Sequence, residues 1–169
     1  LEVLNNLALV LQDRAHQDDA ELHARKAVAL APQNPVFLGT LARSLQLQGR
    51  IEESLDYYRQ AIAHAADALG TYGNYLFVLN YDPDLSAEAI YQAYEEYDRR
   101  YGQPLRKTWR AHDNPPAARR RLKVGYVSPD FKNHSVQFFV EPLLANHDHA
   151  VVEVYAYADL PREDHLSRR

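Results

Sequence analysis

The 169-residue chain contains no cysteine and no methionine. Without cysteine there can be no disulfide framework and no thiolate metal site, which is compatible with a cytoplasmic setting. Methionine is missing even at position 1, which is Leu1, so the sequence reads as part of a longer product. No run approaches the roughly 20 apolar residues of a membrane helix, and no signal-peptide pattern opens the chain, so no membrane partner is expected. Positive charge is also short. The 19 Lys+Arg against 23 Asp+Glu leave a formal charge of -4, which argues against a nucleic-acid-binding face. The run Arg119-Arg120-Arg121 is a local exception and reads as a solvated linker flank. Glycine is sparse, with six in all. No Gly-rich phosphate loop is present, and Gly125 lies inside a strand-like run with no glycine partners.

What the chain does have is an internal echo. Leu4, Leu7, Ala8 and Leu11 recur 34 residues later as Leu38, Leu41, Ala42 and Leu45, and again, less cleanly, as Tyr72, Tyr75, Leu76 and Leu79. Ala20 and Ala27 meet Ser54 and Ala61 at the same offset. Large, large, small, large residues at a 34-residue period are the tetratricopeptide signature. Apolar side chains at helical spacing predict paired helices over 3–13 with 20–30 and 35–48 with 51–65. Pro32 and Pro35 sit at the first repeat's junction. Gly49 falls at the turn inside the second repeat, where a left-handed backbone is often needed. A third unit keeps only its first helix, near 69–80. Asn80-Tyr81-Asp82-Pro83-Asp84 then breaks the pattern.

Ser86 is a good N-cap, with Glu88 in the first turn. The helix it opens carries Ile90, Tyr94, Tyr97 and Tyr101 on one face and is expected to stop at Gly102 and Pro104. That tyrosine stripe reads as core packing of a capping helix over the last repeat, since solenoid ends need a seal. The organisation is therefore repeats with a capping helix over 1–101, a linker over 102–121 rich in proline (Pro104, Pro115, Pro116), and an α/β segment over 122–169.

Leu122 to Ser128 is β-rich and ends in the turn Ser128-Pro129-Asp130. Residues 136–145 read as helical, with Pro142 kinking or restarting the segment. Val151 to Tyr157 alternates like a strand. Strand, crossover helix and strand form a βαβ unit, expected to be parallel and right-handed. Two parallel strands cannot bury both faces of a sheet, so the sheet is expected to continue beyond Arg169.

The turn after the first strand holds Ser128, Asp130, Asn133, His134 and Ser135. In open α/β folds ligands sit outside the carboxyl ends of the strands, and histidine exchanges protons near neutrality. Asp130 is placed to orient His134, and Ser135 to cap the following helix. The plain alternative is that these polar residues only satisfy turn backbone. His147-Asp148-His149 has zinc-chelating spacing but no third ligand nearby, so it reads as a solvent-facing loop. His16, His23 and His64 read as surface or groove residues of the repeats. Trp109 and His112 fall in the linker without an assignable role.

The segment from Arg121 to Ser135 (RLKVGYVSPDFKNHS), with Phe138-Phe139 and Val154-Tyr155-Ala156-Tyr157, resembles the start of the catalytic domain of the O-GlcNAc transferases and their plant relatives of the Spindly type. Leu76 to Ser86 resembles the repeat-to-catalytic junction of bacterial members. The resemblance implies a tetratricopeptide array followed by the start of a GT-B domain with two Rossmann-like lobes. It also implies inverting, metal-free transfer of a sugar from a nucleotide donor to Ser or Thr of proteins, with no cofactor. UDP-GlcNAc is the expected donor and GDP-fucose the alternative; a non-catalytic repeat scaffold is the alternative of a different class. His134 occupies the place of the family's active-site histidine, considered there as a general base, with Asp130, Asn133 and Ser135 in support. Asn6 and Asn74 fit the asparagine register that holds acceptor peptide along the repeat groove toward the His134 turn, and Thr40 interrupts it. The donor lobe would follow Arg169, so this fragment alone is expected to be inactive.

Overall fold

A computed structural model describes residues 1–111, 113 and 120–168. His112, Pro115, Pro116, Arg119 and Arg169, and with them much of the expected linker, lie outside the described residues. The chain divides into two compact units, Leu1–Arg110 and Ala111–Arg169.

The first unit is helical. Helices α1 (Glu2–Asp13) and α2 (Gln17–Leu30) form one antiparallel pair, and α3 (Pro35–Leu47) and α4 (Ile51–His64) the next; α5 (Leu69–Leu79) and α6 (Ala87–Tyr97) come after them. The entry to α3 shows how sequence sets a boundary. Asn34 Oδ1 accepts from the backbone N–H groups of Val36 and Phe37 at 3.0 and 3.3 Å. Pro35 takes the first helical position, where its missing N–H is not needed. The small residues of the echo lie where helices meet: Ala8, Ala20, Ala27, Ala42 and Ala61 are fully buried. Ser54 stands in the place of Ala20, and its hydroxyl is satisfied by donating to Ala42 O at 2.8 Å.

Two apolar clusters knit successive repeats together. Ala8, Ala24, Leu41 and Leu45 join the first to the second. Ala42, Leu55, Tyr58, Tyr72, Leu76 and Leu79 join the second to α5. Leu45 has no exposed surface, so truncating it to alanine should cost about 2–5 kcal/mol. Amides recur in the same period. Gln12 Nε2 donates to Thr40 O and Ser44 Oγ at 2.9 and 2.7 Å. Gln46 Oε1 accepts from Tyr58 OH at 3.0 Å, and Asn80 Nδ2 donates to Leu76 O at 2.8 Å. The two glutamines tie neighbouring helices that apolar packing alone would leave free to slide.

The capping region matches the expected start and departs at the end. Ser86 Oγ accepts from Ala89 N at 3.1 Å, and Ile90, Tyr97 and Tyr101 pack on the second cluster. Tyr94 does not join them. It is half-exposed and its hydroxyl donates to Leu76 O at 3.3 Å. Nor does the helix stop at Gly102 and Pro104: a π-helical turn over Asp98–Gly102 leads into a 3₁₀ segment over Gln103–Thr108. Pro104 lies in the first turn of that segment, where a proline costs no hydrogen bond. A Cβ at Gly102 would collide with the Asp98 carboxylate.

The second unit is the expected βαβ. Strands β1 (Leu122–Ser128) and β2 (Val152–Ala158) pair in parallel, in register from Leu122 opposite Val152 to Ser128 opposite Ala158, with α7 (Gln137–Ala145) between them in sequence. A Cβ at Gly125 would come within 3.1 Å of the Tyr157 ring, tighter than ordinary contact. α7 runs through Pro142, so the proline neither ends nor restarts it. No described residue of this unit is buried, and Phe138 and Phe139 are 71% and 78% exposed, in keeping with two strands being too few to cover both faces. Among the described residues no helix is long and apolar enough to cross a membrane.

Candidate active-site turn

β1 ends at Ser128 and hands the chain to a compact polar turn. Ser128 Oγ accepts from Asp130 N at 3.0 Å, which folds the chain back at Pro129. Asp130 is half-buried, whereas Asn133, His134 and Ser135 are exposed. The start of α7 is tightened by i→i+3 bonds: Gln137 N donates to His134 O at 3.0 Å and Phe138 N to Ser135 O at 3.3 Å. Ser135 does not cap this helix with its side chain. The N-cap is Val136, in a helical conformation with no side-chain cap, so Ser135 sits one residue too early and its backbone carbonyl does the accepting.

His134 is held by backbone. Its Nδ1 accepts from Val136 N at 3.3 Å, while Asp130 Oδ2 stands at 3.9 Å from the same nitrogen. The shorter contact is the hydrogen bond; the longer one is beyond hydrogen-bond reach. Assigned from this network, the neutral ring carries its proton on Nε2 and presents an N–H there. Asp130 also faces Lys132, whose Nζ lies 3.7 Å from Oδ1. The turn therefore brings together a histidine donor, a carboxylate and an ammonium group just beyond the carboxyl end of β1.

Sequence reasoning missed Asp164. Its Oδ2 accepts from Asn133 N at 2.6 Å, and its Oδ1 from Leu166 N and Ser167 N at 2.9 Å. Ser167 Oγ accepts from Asp164 N in return, at 2.8 Å. These backbone donors, Asn133 first, hold the Asp164 carboxyl below its ordinary value. The reciprocal Asp164–Ser167 pair is a capping arrangement, visible in the sequence as Asp and Ser three apart. Its tie to Asn133 was not. Asn133 thus contributes its backbone N–H to the turn's support.

A cleft of about 420 Å³ opens beside the turn, with Asp130, Lys132, Gln137 and Ser167 at its polar side and Val140, Leu144 and Leu166 among its apolar lining. The other histidine cluster does different work. His147 Nε2 bonds Tyr126 OH at 2.8 Å, and Asp148 Oδ1 accepts from Ala150 N at 2.9 Å. Among the described residues no group of three His, Cys, Asp or Glu is arranged to hold a metal ion. In the repeats, Asn6 on α1 and Asn74 on α5 are exposed, while Thr40 is buried and its hydroxyl donates to Val36 O at 3.0 Å.

Residues 104–169 match the family described as glycosyl transferase family 41, and 1–31 and 38–71 match a tetratricopeptide repeat. A rice protein (Oryza sativa subsp. japonica) named probable UDP-N-acetylglucosamine–peptide N-acetylglucosaminyltransferase SPINDLY is 35% identical over 109 residues, 63% of this chain and 11% of its own length. The barley protein (Hordeum vulgare) of the same name is 38% identical over 91 residues, 54% of this chain and 10% of its own. The solved structure of a mutant O-GlcNAc transferase from Thermobaculum terrenum superposes with a TM-score of 0.81 at 28% identity, covering 99% of this chain and 32% of that one. The chain thus spans about a tenth of the plant relatives and a third of the bacterial structure. It resembles the O-GlcNAc transferases, with tetratricopeptide repeats leading into a segment that matches the start of the domain of glycosyl transferase family 41.

Proposed function

We propose that the protein containing this chain is a protein O-glycosyltransferase that moves GlcNAc from UDP-GlcNAc to Ser or Thr hydroxyls, with inversion. The observation that carries the reading is the His134 turn, placed beyond the carboxyl end of a parallel strand inside the segment matched to family 41. In the reaction the acceptor oxygen forms a bond to the anomeric carbon as the bond from that carbon to the diphosphate breaks. UDP leaves with the electron pair, and the hydroxyl proton passes to the departing diphosphate or to water. His134 contributes as a donor. With Nδ1 accepting the Val136 N–H, its Nε2–H is available to orient a substrate oxygen. A general-base role at Nε2 would require the other tautomer and the loss of that backbone contact. Asp130 and Asn133 support the turn, and Ser135 supplies backbone to it.

The acceptor is read as an extended protein segment along the repeats. Asn6 and Asn74 present exposed amides that can bond peptide backbone without selecting its sequence. The transfer is read as metal-independent, and the setting as cytoplasmic. The names of the plant relatives support UDP-GlcNAc as donor. Calorimetric titration of the full-length protein tests this: UDP should bind more tightly than GDP. The reverse preference would move the donor to GDP-fucose.

A further inference from the structure

Between Tyr81 and Asp98 the chain carries Asp82, Asp84, Glu88, Glu95, Glu96 and Asp98, and no Lys or Arg. Over the same stretch Tyr81 and Tyr91 are each 57% exposed and Tyr94 43%. Glu88, Tyr91, Glu95 and Asp98 follow one another at intervals of three, four and three residues, which places them on one stripe. Tyr91, Tyr94, Glu95, Asp98 and Gln103 line a cleft of about 300 Å³. The carboxylates differ in what already meets them. Glu96 is taken by the Arg99 guanidinium, and Asp98 is shared at 3.4 Å by Arg106 and Gln103. Glu88 meets Gln92 Nε2, at 3.0 Å, and Glu95 meets Tyr91 OH, at 3.0 Å. Two carboxylates without a cationic partner among the described residues thus flank an exposed tyrosine ring.

We infer that this stripe is a docking surface for a basic, proline-rich segment of a partner protein in the polyproline II conformation. Two matches carry it. The first is charge: arginine pairs with carboxylates and stacks over tyrosine faces, so one side chain satisfies both halves of the surface. The second is spacing. Glu88 and Glu95 are two helical turns apart, about 10 Å along the axis. Residues three apart in polyproline II share a face and lie about 9 Å apart. A segment of repeated Arg-Pro-Pro therefore sets one arginine at each carboxylate, with the guanidinium plane able to stack on Tyr91 and the prolines holding the spacing. Aromatic surfaces favour such segments because they arrive already extended, with little entropy left to lose.

The test is a fluorescence anisotropy titration of the full-length protein with the labelled peptide Ac-(Arg-Pro-Pro)₃-Arg-NH₂, without sugar donor, so that its outcome is separable from glycosyl transfer. Binding should weaken about tenfold for Tyr91→Ala and for Glu88→Gln combined with Glu95→Gln, while Tyr91→Phe, which keeps the ring, should stay within about threefold. Removing two exposed carboxylates elsewhere, by Asp18→Asn with Glu52→Gln, should leave it unchanged. The equally charged peptide Ac-(Arg-Gly-Gly)₃-Arg-NH₂ should bind more weakly. No binding by the full-length protein, equal loss from the Asp18 and Glu52 pair, or equal binding of the glycine peptide would each overturn the inference.

Discussion

Ala15 holds, at φ 60°, the left-handed conformation that Gly49 takes at φ 76° in the corresponding turn of the next repeat. The echo places the two at the same step of the helix-turn-helix, so the backbone shape is set by the repeat and not by the residue. An L-residue pays about 1–2 kcal/mol there, offset in part by glycine's larger unfolded-state freedom. Ala15→Gly should therefore stabilise the repeats by about 0.5–1 kcal/mol, and Gly49→Ala should destabilise them by about 1 kcal/mol, read by urea denaturation. Equal midpoints for both variants and the parent would refute this.

Glu21 is the polar clamp between the first two repeats. It accepts from Gln48 Nε2 at 2.8 Å, and Arg25 and Arg50 each reach it at 2.7 Å. Burial pushes its carboxyl up, but hydrogen bonds from Gln48, Arg25 and Arg50 outweigh burial and hold it below the ordinary value. The folded carboxyl is therefore harder to protonate than the unfolded one. Its contribution is fully present above the unfolded value and is lost as pH falls through the folded one. Glu21→Ala should cost about 2 kcal/mol at neutral pH and flatten the acid limb of stability against pH. An unchanged acid limb would contradict the clamp.

Asp164 makes a local claim of the same sign. Its carboxyl is held low by the Asn133 and Ser167 N–H groups, so the tie to the His134 turn is present at neutrality and is lost as pH falls through that lowered value. Asp164→Ala should speed hydrogen exchange at the Asn133 amide at neutral pH, with little change in the repeats. Protection equal to that of the parent would remove Asp164 from the support of the turn.

Most of this fold is legible in the sequence because its signals are local and repeated. The Leu-Leu-Ala-Leu spacing names the helices, and Ser86 marks a helix start through a capping bond that its residue type favours. What escaped reading depends on contacts between segments. Gly102 and Pro104 look like stops, but a proline entering a new helical turn breaks nothing. Tyr94 has the spacing of a core residue but finds a backbone carbonyl to bond. The His134 turn is visible as a cluster of polar residues beside a strand. That Val136 N–H and not Asp130 meets Nδ1 is a matter of ångströms, and spacing cannot supply it.

The asparagine register makes a prediction about acceptors. Asn6 and Asn74 are exposed and Thr40, one repeat from each, is buried. Replacing both with alanine in the full-length protein should raise KM for peptide acceptors several-fold and leave UDP affinity unchanged. Unaltered peptide kinetics would exclude them from acceptor binding.

The most direct measurement is transfer of tritiated GlcNAc from UDP-GlcNAc to Ser/Thr peptides by the full-length protein and its His134 variants. Transfer should occur and persist in EDTA. His134→Ala should lower kcat by about 10²-fold without changing the shape of the pH–rate profile, and His134→Asn should regain part of the loss through its amide N–H. No transfer from UDP-GlcNAc, or parental turnover in His134→Ala, would contradict the account.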